Sequence, residues 1–416
     1  MSTTASEKGD APYLAVVLQR RLETSCYVTA PHVGVGDVSV SGMNFRDLLL
    51  FVIGAAGPAL AVALVATYVM RRLAPIWGLV DRPGHRKVHT TPTPLGGGVA
   101  IWLGVVVTFA LVHLAALLGQ SMPELLPDFA RPHLEGLLER MVSLWLLLAA
   151  GTALMLLGLA DDFRGLPWQA RLGAQAMVAS LCVWRWEELR LSIFIDAPLL
   201  TGALSVLWIM ALVNSFNMLD NMDGLAGGVA AISSAILAAV LLSMPDPDTG
   251  FPQLFVAGFL LVLVGSLLGF LFHNRPPARI FMGDAGSYFI GFCMATATLL
   301  ATFAGYHSAS RHTILAPLCV LAVPLYDMTT VLWIRLREGR SPFVGDKSHF
   351  SHRLVELGLS KAQAVLTIYL TTAVCGLGAL LLHQVNLFGA GVILLTVLLI
   401  LALVAVLETA GRRNKS

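Results

Sequence analysis

Charge is what this sequence has least of. Only 12% of its 416 residues are Asp, Glu, Lys or Arg, about half the share found in soluble domains. By contrast 56% are hydrophobic, and the mean hydropathy is +0.77. A chain so composed cannot clothe itself in a charged surface, which excludes an ordinary soluble enzyme and points to a bilayer. The net charge of +2 supplies no basic patch for nucleic acid. Cysteine is also sparse: Cys26, Cys182, Cys293, Cys319 and Cys375 are scattered, which implies neither a disulfide framework nor a spaced metal site and leaves packing as their role. Internal repeats, heptads and low-complexity tracts are missing, and no loop is long enough for a separate soluble domain.

What the chain does have is apolar runs. A membrane-spanning helix takes about 20 of them in a row, because the backbone must satisfy its own hydrogen bonds across the hydrocarbon. About eleven stretches qualify, at 46–70, 97–118, 143–160, 170–186, 200–216, 225–243, 252–272, 283–303, 312–333, 362–383 and 386–407. The expected fold is therefore an all-α integral membrane protein of about eleven transmembrane helices. One polytopic domain is expected over 46–407, preceded by a disordered extension at 1–45 and followed by a basic tail at 408–416. Met43 stands just before the first span and is a candidate translation start.

Lys and Arg divide unevenly between the two sets of loops. Those after odd-numbered stretches hold eighteen: five in 71–95, two in 161–171, two in 273–282, six in 334–361 and three in the tail. Those after even-numbered stretches hold only Arg131, Arg140, Arg190 and Arg311. Short cytoplasmic loops retain positive charge, so the odd-numbered loops are expected inside, the N-terminus outside and the C-terminus inside.

The same odd-numbered loops carry the unusual polar residues, and polar groups at a membrane boundary are costly enough to suggest function. In the first segment, Asp81 to His89 followed by Pro94-Leu-Gly-Gly-Gly98, the glycines admit a ligand close to backbone and Lys87 can neutralise a phosphate. A basic stop-transfer loop would read the same way. The second segment ends an apolar helix with Asp161 and Asp162. Acids are unfavourable at a helix C-terminus, and a cap needs only one of them. Such a pair can order a cation, or one member can act as a base; the sequence does not assign the two jobs.

The third segment, Asn214 to Gly228, wedges Asn214, Asn217, Asp220 and Asp223 between two apolar runs. If it is helical, the last three share one face and converge on one ligand or metal. The fourth, Phe281-Met-Gly-Asp284-Ala-Gly-Ser287, opens a span with small residues and offers Asp284 as a hard oxygen ligand suited to Mg²⁺, an N-cap being the alternative. The fifth runs from Ser341 to Leu354 and contains His349, His352 and Arg353. The two histidines could be a metal pair, but without a nearby cysteine, hydrogen bonding to diphosphate is the better fit.

Taken in order, these five segments resemble the polyprenyl-phosphate N-acetylhexosamine 1-phosphate transferase family of glycosyltransferase family 4, the group of WecA and TagO and more distantly MraY. The likeness spans roughly 70–360. It implies that Asp161 and Asp162 are catalytic carboxylates, and that Asp284 with Asn217 holds Mg²⁺, for which Mn²⁺ could substitute. It also implies that Lys87 holds phosphate, that Asn214, Asp220 and Asp223 shape the substrate side, that Phe281 stacks on uracil, and that His349, His352 and Arg353 engage the donor. The partners implied are a UDP-sugar donor, a polyprenyl (undecaprenyl) phosphate acceptor and the lipid bilayer, at a bacterial inner membrane with the active site on its cytoplasmic face. Two positions depart from the family pattern: Asn221 stands where many members have glycine, and Ser351 where many have histidine. The alternatives are the MraY-type transfer of a phospho-MurNAc-pentapeptide and, in another class, a secondary transporter. No motif argues for or against a homodimer.

Overall fold

The computed structural model describes residues 44–82, 92–191, 197–244, 252–301, 303, 311–346 and 348–413. Lys87, the extension up to residue 43 and Lys415 of the tail lie outside the described residues. Each of the eleven apolar stretches contains helix among its described residues, the ninth broken at Leu321. In chain order the helices are α1 (Phe45–Ile76), α2 (Gly97–Ser121), α3 (Leu134–Arg164), α4 (Trp168–Arg185), α5 (Pro198–Leu219), α6 (Leu225–Ser243) and α7 (Leu254–Asn274). They continue with α8 (Gly283–Leu300), α9 (Ala316–Val320), α10 (Ala322–Arg337), α11 (Phe350–Glu356), α12 (Lys361–Leu377) and α13 (Leu387–Arg413). The last helix runs on past residue 407, so most of the expected tail continues it.

The fold is the expected all-α membrane class, but the count of spans differs. Among the described residues eight helices are long and apolar enough to cross a bilayer, or nine if Arg311–Val320 and Ala322–Arg337, bent by 66° at their junction, form one broken span. Helices α4 and α8 are not among them. For α8 the reason is visible in its surroundings: every residue from Gly283 to Leu299 except Asp284 is buried, so the helix meets protein rather than lipid and carries small and polar residues that a lipid-facing span would not.

Helix α8 is the centre of the bundle, packed by α3 on one side and α5 on another, with α2 touching its start; α1 lies along α7 outside them. Two glycines allow the close approach. A Cβ on Gly158 of α3 would lie 2.3 Å from the Asp284 carbonyl oxygen, and one on Gly98 of α2 would lie 2.1 Å from the Gly286 nitrogen. Backbones can come this close only where a side chain is missing, the usual device for joining helices in a membrane. The first turn of α8 is thereby clamped between α2 and α3, which brings the C-terminal end of α3 to the N-terminal end of α8.

The chain outside the helices ties these ends together. A two-residue ribbon, β1 (Val80–Asp81) against β2 (Thr93–Pro94), pairs antiparallel with Val80 opposite Pro94. Pro94 then accepts a hydrogen bond from the Phe281 amide (2.8 Å), and the Gly97 and Gly98 amides donate to the Phe281 and Met282 carbonyls (2.9 Å each). The 341–348 loop is gathered by Asp346, which accepts from Arg335 (3.1 Å) and from Arg340. Burial works to raise the Asp346 carboxyl, but the bonds from Arg335 and Ser348 outweigh it and hold the group well below the usual carboxylate range.

Candidate active site

The acids of the second, third and fourth segments meet around one helix N-terminus. Asp162 accepts from the backbone amides of Asp284 (2.8 Å) and Ala285 (3.1 Å), and the Gly283 amide bonds to the Asp220 carboxylate. The acid that is out of place at the end of its own helix α3 thus sits at the positive end of α8, where the dipole and unsatisfied N–H groups favour an anion. Asp162 does not cap its own helix but caps α8 in trans, across the α3–α8 contact.

Its neighbour Asp161 also reaches the Asp284 side chain but has different partners of its own. The Asp161 Oδ2 accepts from Arg171 of α4 (2.8 Å) and from the Tyr288 hydroxyl (3.2 Å), and Oδ1 accepts from the Leu166 amide (2.6 Å). Arg171 also stands 4.0 Å from Asp284 Oδ2. The two adjacent carboxylates therefore have different situations: Asp161 is paired with a guanidinium, whereas Asp162 is held only by neutral amides.

Asn217, one turn before the end of α5, donates through Nδ2 to Asp284 Oδ1 (2.6 Å) and to the Ser287 hydroxyl (3.1 Å). That orientation turns the amide nitrogen of Asn217 toward Asp284. The third segment is not one helix, however. Helix α5 ends at Leu219 and Asp220 caps it, so Asp223 does not continue the face of Asn217 and Asp220. It instead accepts from the Ala278 amide (2.9 Å) and anchors the loop that leads into Phe281. Asn214 points away from the acids, donating to Gln175 of α4 (2.7 Å) and to the Met210 carbonyl. Phe281 is half-buried, three residues before Asp284.

Negative charge outweighs positive here. Asp161, Asp162, Asp220 and Asp284 converge with Arg171 against them, and burial together with the Asp162 charge pushes the Asp220 carboxyl up to about 7. Among the described residues no three His, Cys, Asp or Glu side chains form a closed metal cage. A hard divalent cation that takes one or two protein oxygens and completes its shell with substrate phosphate and water needs no such cage, and the Asp284 carboxylate, with the Asn217 side chain against it, fits that demand.

The raised Asp220 carboxyl makes a pH prediction. Its protonated form is favoured in the fold, so the stability it contributes is complete below its ordinary value of 3.8 and is lost as the pH rises through about 7. Without divalent cation, Asp220→Asn is expected to melt at a higher temperature than the wild type above pH 7, with the two converging at acid pH. A thermal-unfolding series in EDTA checks it, and equal curves at pH 8 would refute it.

The fifth segment packs beside the turn at 220–224 rather than on the acids. His349 Nδ1 is 2.9 Å from Asp327 Oδ2, whose other oxygen accepts from the Phe350 amide (2.6 Å). His352 is half-buried, its ring 6.2 Å from that of His349. The Ser351 hydroxyl donates to the Asn221 side-chain oxygen (2.5 Å). The expected donor contact by Arg353 is corrected by its surroundings. The side chain is 4% exposed, with Nε 2.9 Å from Glu408 of α13; it also donates to the Ser348 carbonyl and to Thr330. Removing one partner of a buried ion pair costs about 3–5 kcal/mol, so Arg353→Ala is expected to lower the melting temperature sharply, with Arg353→Met/Glu408→Leu recovering much of the loss. If Arg353→Ala instead raised the KM for the sugar donor with stability intact, a donor contact would stand.

Sequence reasoning missed Asp327, Tyr288, Gln175 and Glu408. Only Asp327 and Glu408 carried a signal, a carboxylate in or at the end of an apolar stretch.

Residues 144–302 match the profile of the family described as Glycosyl transferase family 4. That segment runs through α3 to α8 and contains Asp161, Asp162, Asn217, Asp220, Asp223 and Asp284. A Bacillus subtilis (strain 168) protein named "Probable undecaprenyl-phosphate N-acetylglucosaminyl 1-phosphate transferase" is 30% identical over 86% of this chain and 91% of its own length. The chain belongs to glycosyl transferase family 4. Two further relatives are similar over most of their length: "Decaprenyl-phosphate N-acetylglucosaminephosphotransferase" of Mycobacterium leprae (strain TN), 32% identical over 90% of this chain and 93% of that protein, and "Undecaprenyl-phosphate alpha-N-acetylglucosaminyl 1-phosphate transferase" of Escherichia coli (strain K12), 30% identical over 74% and 77%. Within this glycosyl transferase the resemblance seen in five ordered segments is thus matched by similarity along nearly the whole chain.

Proposed function

We propose that this membrane protein transfers N-acetylglucosamine 1-phosphate from its UDP-sugar to a polyprenyl phosphate, giving polyprenyl-diphospho-N-acetylglucosamine and UMP. The observation that carries the reading is the gathering of Asp162, Asp220 and Asp284, with Asn217 and Arg171, at the N-terminus of α8, in a chain whose relatives carry that reaction in their names. The acceptor is insoluble in water and the donor is soluble, so the chemistry belongs at a membrane boundary. The excess of Lys and Arg in the loops that carry the acids supports a boundary on the cytoplasmic side of a bacterial inner membrane.

Attack of one phosphate on another crowds negative charge, so catalysis rests on positioning and neutralisation. Asp284 and Asn217 are the residues proposed to hold Mg²⁺, which when bound would neutralise the donor diphosphate. Arg171 supplies a fixed positive charge 4.0 Å from Asp284. Asp162 retains a free lone pair on each oxygen and is the better placed of the pair to orient the lipid phosphate or take its proton. The lipid phosphate oxygen forms the new bond to the β-phosphorus, and the bond to the bridging oxygen breaks to release UMP.

Purified protein in detergent, given Mg²⁺, undecaprenyl phosphate and a panel of UDP-sugars, is expected to release UMP from UDP-N-acetylglucosamine only when the lipid is present. Folded protein that releases none from any donor would overturn the reading.

A further inference from the structure

Away from the acids, the last turns of α1 border a second polar cavity. Tyr68, Arg71 and Arg72 face Thr93 of the ribbon and Arg279 of the loop before α8 across a space of about 380 Å³. Three guanidinium groups line it, and no carboxylate does. Arg71 Nη1 is 3.2 Å from His273 Nδ1, and the Arg72 guanidinium lies 4.8 Å above the Tyr68 ring. Both contacts orient a cation without cancelling its charge, and among the described residues no carboxylate pairs with any of the three. Uncompensated positive charge around a cavity asks for an anion.

The outer face of the same helix says where that anion comes from. Val65 (62% exposed), Val69 (42%) and Ile76 (77%) recur at helical spacing with Arg72 among them, so Arg72 lies on the stripe that α1 turns outward. The helix is apolar enough to cross the bilayer, which puts hydrocarbon on that stripe, and an arginine beside hydrocarbon is costly unless its head reaches water or a counter-charge. Tyr68 and the half-exposed Trp77 mark the interfacial level at which lipid headgroups lie.

We propose that the cavity lined by Arg71, Arg72 and Arg279 binds the phosphate head of an anionic membrane lipid, whose hydrocarbon chain lies along Val65, Val69 and Ile76 of α1. The cavity is tied to the active-site segment through backbone, because Pro94, which lines it, accepts the Phe281 amide three residues before Asp284. None of the residues lining it is assigned to the reaction.

Binding is measured without turnover, so the result stands apart from the proposed reaction. Wild-type protein in detergent is titrated with undecaprenyl phosphate, phosphatidylglycerol, phosphatidylcholine or inorganic phosphate and followed by native mass spectrometry. The phosphate-headed anionic lipids are expected to be retained over phosphatidylcholine and inorganic phosphate. Arg72→Gln/Arg279→Gln is expected to weaken them about thirtyfold, and Arg72→Lys/Arg279→Lys, which keeps the charge, to restore most of the binding in protein of the same melting temperature. Preference for undecaprenyl phosphate would identify the cavity as a station for the acceptor, and equal retention of phosphatidylglycerol would identify it as a general anionic-lipid site. Unchanged retention in the glutamine variant, equal retention of phosphatidylcholine, or binding of inorganic phosphate as tight as that of the lipids would overturn the proposal.

Discussion

Asp284→Ala is expected to lower lipid-dependent UMP release by roughly a thousandfold or more in protein that still folds. The side chain projects from the first turn of α8, its Oδ1 bonded to Asn217 and its Oδ2 4.0 Å from Arg171. The carboxylate buries no apolar surface and closes no helix end, since the amides of that turn are capped by Asp162 and Asp220. Its loss should therefore relieve charge crowding rather than loosen the bundle. The measurement is UMP release against protein concentration, with melting temperature as the control for folding. Asp284→Asn separates charge from shape: a similar fall would assign the effect to the lost negative charge, as expected for a residue that holds a cation. Activity within tenfold of the wild type in either variant would remove Asp284 from the machinery.

The second large effect is structural and reaches the site from outside it. Gly158→Val is expected to destabilise the fold by about 4 kcal/mol or more, because even the first added carbon would sit 2.3 Å from the Asp284 carbonyl oxygen and 2.4 Å from its carbon. Both are backbone atoms that cannot step aside. If any protein is recovered, α3 and α8 must stand apart, and the amides of Asp284 and Ala285 lose the Asp162 carboxylate. Gly173→Ala in α4 is the control, as its Cβ would meet nothing within 4 Å and alanine favours a helix. Comparable yields and melting temperatures for the two variants would contradict the close packing described.

The pair of departures from the family pattern shows how much a linear reading holds back. Asn221 and Ser351 are 130 positions apart, and in the sequence each reads as an isolated loss, of a glycine in one place and of a histidine in the other. Folded, the Ser351 hydroxyl donates to Asn221, and the two changes make one bond between the 220–224 turn and the start of α11. Arg353 teaches the converse. Beside two histidines in a loop it reads as a ligand for phosphate, yet its guanidinium is spent on Glu408, Ser348 and Thr330. Nothing in the local sequence announces a partner 55 positions away.

The sequence by itself determined the membrane class, the apolar stretches that fold as helix, the segments that carry the acids, and the likeness to glycosyl transferase family 4. These properties are local: apolar run length, clustered loop charge and short motifs are written in neighbouring residues and need no partner to be read. Only the tertiary structure decided that α8 is enclosed by protein, that Asp162 caps it from another helix, that Asp161 is paired with Arg171, that Asn214 faces away, and that three arginines surround a cavity at the end of α1. Each of these depends on which helix ends meet. In this bundle that is settled by glycines at crossings and by hydrogen bonds between segments tens to hundreds of residues apart, contacts to which hydropathy and spacing are blind.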